Sequence, residues 1–198
     1  NTGVKICEEL NSLDIQHSAF VRKGSEHKVR TERSEIIQGD VLHKADIEKA
    51  LNGQVFTDIV IALGSRDLKA GNVRSIGTRN IVEALNENAI NSKLHVISAH
   101  GVGDSWDSLK WYEKLISKLL INKTMKDHEL QENVVTSNPG GYHIIRPVAL
   151  KNGDPSGKIH DQQNGPLPNG DITRADVAKF LVDSMLSDKS GVSSICKE

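Results

Sequence analysis

The residues Asp58-Ile59-Val60-Ile61-Ala62-Leu63, closed by Gly64, constrain this chain most. After its one acid the run is continuously apolar, rich in β-branched side chains and too short for a stable helix. Such a segment reads as a parallel strand buried on both faces. A parallel strand needs a crossover connection, usually a helix, so strands and helices must alternate around it. They do. Strand-like stretches fall at 15–21, around Ile36-Ile37, and at 94–98, 142–146 and 192–196. Helical apolar spacing falls at 4–13, 46–51, 72–88, 108–121, 124–135 and 174–186. Residues 23–35 read as a polar loop with a short helix. Residues 149–171, with Pro155, Pro166 and Pro168, read as a long surface loop. Right-handed crossovers then give an α/β, doubly wound parallel sheet of Rossmann type, one domain over residues 1–198.

Composition removes several classes of function. Lys plus Arg (25) nearly cancels Asp plus Glu (26), leaving net charge −1 and no global electrostatic case for a nucleic-acid partner. Aromatics at 4% are too few for a base-stacking platform. No apolar run approaches the ~18 residues of a membrane span, and no basic-then-apolar leader opens the chain. Cys7 and Cys196 stand at opposite ends without metal-type spacing, which points to a reduced, cytoplasmic setting. None of the eight histidines is paired at i, i+4 or clustered, so no metal site is expected. The expected partner is a small-molecule substrate, for a monomer or weak homo-oligomer.

No intact Gly-x-Gly-x-x-Gly is present. Asn1-Thr2-Gly3 instead opens the first helix, whose N-terminus favours an anion such as a pyrophosphate. The strand 15–21 ends in Arg22-Lys23. A carboxylate there would select the ribose hydroxyl of NAD, whereas Arg accommodates the 2′-phosphate of NADP; a solvated basic strand end would carry the same residues. Gly39-Asp40-Val41 follows the next strand, where adenine would lie, and suits an ordinary turn equally. Leu63-Gly64 sits at the carboxyl edge, where open α/β sheets bind ligands, and also serves as a plain strand stop.

In order along the chain come Asn-Thr-Gly, Val-Arg-Lys, Gly-Asp-Val, Ala-Leu-Gly-Ser-Arg, the segment Ser75-Ile76-Gly77-Thr78-Arg79-Asn80-Ile81-Val82-Glu83-Ala84, then Val96-Ile97-Ser98, Ile145-Arg146-Pro147 and Arg174-Ala175-Asp176-Val177-Ala178. Together these resemble the atypical short-chain dehydrogenase/reductase family, in the NAD(P)H-binding branch with biliverdin-IXβ (flavin) reductases and NmrA-like proteins. The resemblance spans essentially the whole chain. It implies NADP(H) as cofactor, with Asn1 and Thr2 at the pyrophosphate and Arg22, beside Lys23, at the 2′-phosphate. Asp40 and Val41 would flank the adenine; Leu63, Gly64 and Arg66 would lie on the ribose-phosphate and nicotinamide side. Ser98 matches a serine beside the nicotinamide, and His128 a histidine near the substrate face. In that family the first strand runs into a Gly-rich loop of which only Asn1-Thr2-Gly3 is matched, so the sheet is expected to lack its first strand.

The departures shape the functional expectation. A Tyr-x-x-x-Lys pair is absent, since Tyr112 is followed by Ile116 and Tyr142 by Arg146. The second substrate-side histidine of the flavin/biliverdin reductases is replaced near Val148, which argues against a tetrapyrrole. His17, His95 and His143 read as structural, with His100 and His128 closest to the substrate. Trp106, Trp111 and Tyr112 read as a helix anchor or lid, or as a wall for a flat substrate. The Asn122-Lys123-Thr124 sequon reads as chance. The expectation is an NADPH-dependent oxidoreductase passing hydride to a planar, flavin- or quinone-like acceptor, with Ser98 and His128 as catalytic residues. The alternative is a non-catalytic NADP(H)-binding redox sensor of the NmrA-like type.

Overall fold

In a computed structural model, the structure describes residues 1–29, 33–64, 71–116, 121–163 and 165–198. Helix α1 (Thr2–Ser12) is capped by Asn1, whose side-chain oxygen accepts from the Val4 N–H at 3.0 Å. It leads to strand β1 (His17–Val21), then β2 (Ser34–Gln38), α2 (Lys44–Leu51) and β3 (Asp58–Ile61). Helix α3 (Val73–Glu87) precedes β4 (Lys93–Ile97), and α4 (Trp111–Ile116) and α5 (Asn122–Val135) precede β5 (Tyr142–Pro147). Then come β6 (Ala149–Lys151), β7 (Ile159–Gln162), β8 (Asp171–Thr173), α6 (Arg174–Leu186) and β9 (Gly191–Lys197).

Strands β3, β4, β5 and β9 run parallel in that order, with β7 added antiparallel on the outer edge of β9. Strands β1 and β2 form a separate parallel pair. Apolar alternation across the sheet feeds two cores. Leu94, Val96 and Ile144 face α2, α3 and α5, packing with Leu51, Leu85 and Val135. Ile97, Ile145 and Ile195 face α1 and α6, packing with Ile6, Leu10, Val177 and Leu181. A strand accepts side chains on both faces only when helices cover both, which the crossovers provide.

The segment 149–171, expected as a loop, departs from that reading. It carries β6, β7 and the start of β8, with β6 and β8 paired parallel. These strands are three or four residues long and lie among prolines and glycines, so no apolar period announces them. Helix α4 also starts three residues later than the expected 108, because Gly103–Ser108 takes a 3₁₀ turn instead.

No strand among the described residues lies between β1 and β3. A cavity of about 540 Å³ separates them, lined by Gln16–Val21 on one side and Thr57–Leu63 on the other. Asn1 and Gly3 border the same cavity. A Cβ built on Gly3 would stand 3.6 Å from Cβ of Ala62, just past the carboxyl end of β3. Helix α1 therefore starts beside the carboxyl end of β3, and β1 follows it.

Candidate functional site

The site forms where the carboxyl ends of the parallel strands meet the helix N-termini that follow them. Val41, after β2, and Leu63, after β3, both press on Gly77 of α3. A Cβ there would come within 2.6 Å of Val41 and 2.9 Å of Leu63, so only glycine lets α3 lie this close. Asn80, one turn on, donates its amide to the Val41 carbonyl at 2.9 Å. The Asp40 carboxylate accepts from the Leu42 N–H at 3.0 Å, and Asp46 accepts from the Asp40 N–H at 2.8 Å. The expected adenine turn is thus a built loop, pinned from α2 and α3. Gly77 and Asn80 were legible only as members of the motif; their contacts with Val41 cross 36 or more residues and leave no local signal.

Arg22 and Lys23 stand exposed, directly beyond the end of β1. They are beside the Gly39 turn, whose N–H donates to the Val21 carbonyl at 3.0 Å. Asn1 spends its side-chain oxygen on capping α1, so an anion there would meet the helix N-terminus itself rather than that oxygen. Asn1, Thr2, Arg22, Lys23, Asp40, Val41, Leu63 and Gly64 therefore share one edge of the fold. Arg66 lies outside the described residues.

Ser98 follows β4 on the same edge. Its N–H donates to the Ile145 carbonyl at 2.8 Å, while its hydroxyl, on a residue only 4% exposed, has no partner among the described residues. A buried hydroxyl left unpaired is costly, so this one is able to serve a ligand or a water. His128, 7% exposed on α5, likewise has a buried Nδ1 without a partner among the described residues. Burial, with the Arg74 guanidinium close by, drives its pKa down to about 3. At neutral pH the ring is uncharged and cannot serve as an imidazolium acid; it can only offer or accept a hydrogen bond.

Asp127 and Arg74 were not anticipated. Asp127, 1% exposed on α5, caps the neighbouring helix α3. Its Oδ1 accepts from the Ser75 hydroxyl at 2.6 Å and the Ser75 N–H at 3.0 Å, and its Oδ2 from the Arg74 N–H at 3.1 Å. Burial pushes its pKa up, but these donors and Arg74 outweigh that, and it is held below the usual carboxylate range. A cap supplied 52 residues away has no sequence signature.

His95 and His143 behave as the structural residues expected of them. His95 donates from Nε2 to Asp58 at 2.9 Å, and His143 Nε2 lies 3.0 Å from the Ser193 hydroxyl. Burial lowers both, His143 to about 4. Trp106 is half-buried, whereas Trp111 is 78% exposed. No group of acids, histidines and cysteines among the described residues could hold a metal ion. No described helix is long and apolar enough to cross a membrane.

A Rossmann-type sheet with a capped helix start, a pinned Gly-Asp-Val turn and a basic strand end on one edge is the frame of a nicotinamide-dinucleotide-binding protein. The chain belongs to the NAD(P)H-binding family, which it matches over residues 1–188. It is 24% identical over 200 residues to an uncharacterized chloroplastic protein of Arabidopsis thaliana, covering 96% of this chain and 70% of that one. Among solved structures it resembles an anaerobillin reductase of Escherichia coli O157:H7, at a TM-score of 0.83 and 20% identity. That match covers 99% of this chain and 91% of the other. It also resembles a wide-type short-chain dehydrogenase/reductase of Veillonella parvula in complex with NADP, at a TM-score of 0.80 and 14% identity, covering 100% of this chain and 90% of that one.

Proposed function

We propose that this protein is an NADPH-dependent oxidoreductase that passes hydride to a small planar acceptor of flavin or quinone type. The observation that carries the reading is the buried, unpartnered Ser98 hydroxyl at the carboxyl end of β4, on the edge that the cofactor residues share. When bound, NADPH supplies the hydride. The α1 N-terminus would hold the pyrophosphate, Arg22 with Lys23 the 2′-phosphate, and Asp40 with Val41 the adenine side. Leu63 and Gly64 would line the nicotinamide side, where a residue without a side chain permits close approach. Ser98 donates its hydroxyl to the nicotinamide amide or to the acceptor and fixes the reacting geometry. The uncharged His128 lends a hydrogen bond, and the proton that accompanies reduction comes from water. That route needs no tyrosine acid, consistent with the absent Tyr-x-x-x-Lys pair. The cytoplasmic setting and monomeric or weakly associated state belong to the same proposal.

Support for the reading includes the reductase and dehydrogenase descriptions carried by the similar structures. Ser98→Ala and His128→Ala test it. Ser98→Ala should lower kcat about tenfold or more while the NADPH Kd stays within about twofold, because the phosphates are held elsewhere. His128→Ala should cost well below the 10²- to 10⁴-fold that loss of a general acid–base brings. Unchanged kcat in Ser98→Ala would remove that residue from the site.

A further inference from the structure

Arg74 is the second residue of α3 and stands at the mouth of the candidate site. Its Nη2 lies 3.8 Å from where a Cβ on Gly64 would be, so it borders the carboxyl edge of β3. The side chain is 14% exposed. Its Nη1 reaches Asp127 only at 3.5 Å, because that carboxylate already serves three shorter donors. Its Nε is buried without a hydrogen-bond partner among the described residues. A guanidinium offers five N–H donors, and here at least the Nε donor has no partner among the described residues. Close by is His128, whose Nδ1 has no partner among the described residues. Next to α3's start, Gly71, Asn72, Lys123, Lys126 and Leu130 line a concavity of about 480 Å³ with two cations and no acid.

We infer that Arg74 binds an oxyanion, a carboxylate or phosphate carried by the acceptor, and so makes this a site for anionic rather than neutral acceptors. Asp127 balances the Arg74 charge but leaves its buried Nε without a partner among the described residues, and an Arg fork matches a carboxylate or phosphate in geometry. Lys123 and Lys126 add attraction at the rim, where it is screened by salt. The phosphates of the cofactor are the other possible source of an oxyanion. They are provided for by α1 and Arg22, which leaves Arg74 to the acceptor. The inference rests on the reductase reading for the word acceptor, but not for the binding itself.

FMN and riboflavin share one ring system and differ by a phosphate, so they test the inference directly. Flavin fluorescence titrations with NADP⁺ present should show FMN binding about ten- to a hundredfold tighter than riboflavin, the range of one charge-assisted contact. Arg74→Gln should bring the two within about threefold without moving the riboflavin or NADPH Kd. Arg74→Lys should keep part of the preference, and thermal melts should show both variants folded. Equal affinity for the two flavins in wild type, or an undiminished preference in Arg74→Gln, overturns the inference. Weaker NADPH binding in Arg74→Gln, with the FMN preference intact, also overturns it and assigns Arg74 to the cofactor. An Arg74-dependent FMN preference without NADPH oxidation would uphold the anion site and remove the reductase reading instead.

Discussion

At the scale of single residues, the buried histidines set a pH dependence that the sequence could not reveal. His128 and His143 are held near pKa values of about 3 and about 4, each by burial first. Unfolded, both return to the ordinary value near 6.5. Between these limits the unfolded chain binds protons that the folded chain refuses, so stability rises with pH there. It is lost as pH falls from about 6.5 toward 4, at roughly 1.4 kcal/mol per pH unit for each such proton. Thermal melts should drop along that limb, and His143→Gln, next to Ser193, should flatten it. A melting temperature unchanged between pH 7 and about 4.5 would contradict this. The sequence placed His95 and His143 in the interior correctly, because both interrupt apolar strands. It could not place Asp127 on Ser75, a contact made between two helices 52 residues apart, nor turn Arg74 back onto Gly64, which no local pattern announces.

At the scale of elements, the strands β3, β4, β5 and β9 and the helices α3 and α6 were legible because each pairs an unbroken apolar or 3.6-residue pattern with a clear stop. Helix α6 runs over the expected residues, Arg174–Leu186, with Thr173 capping it through the Asp176 N–H. The short strands β6, β7 and β8 were not legible, because pairing to β8 and β9 rather than their own composition makes them strands. Helix α3 is the element on which the site turns. It carries Arg74, holds Val41 through Asn80, and touches Val41 and Leu63 at Gly77. Gly77→Ala inserts a methyl where 2.6 Å is available, so it should destabilise the fold by about 1–3 kcal/mol, as overpacking does. The displaced Val41 turn should also weaken NADPH binding severalfold. Calorimetry and cofactor titration measure the two effects, and a neutral Gly77→Ala would show that α3 can retreat without consequence.

At the scale of the whole molecule, a slot of about 540 Å³ lies between β1 and β3. Both edges present strand backbone to an apolar cavity, and Asn1 stands at its carboxyl end. The central claim is that this edge of the sheet binds NADPH and delivers its hydride. Steady-state oxidation of NADPH and NADH against flavins and quinones, in wild type and Arg22→Ala, tests it most directly. The account predicts that an acceptor is reduced as NADPH is consumed, with kcat/KM for NADPH roughly ten- to a hundredfold above NADH and the gap closed in Arg22→Ala. NADPH that binds yet is oxidised by no acceptor would contradict it, and would make the protein a sensor of the cofactor rather than its oxidant.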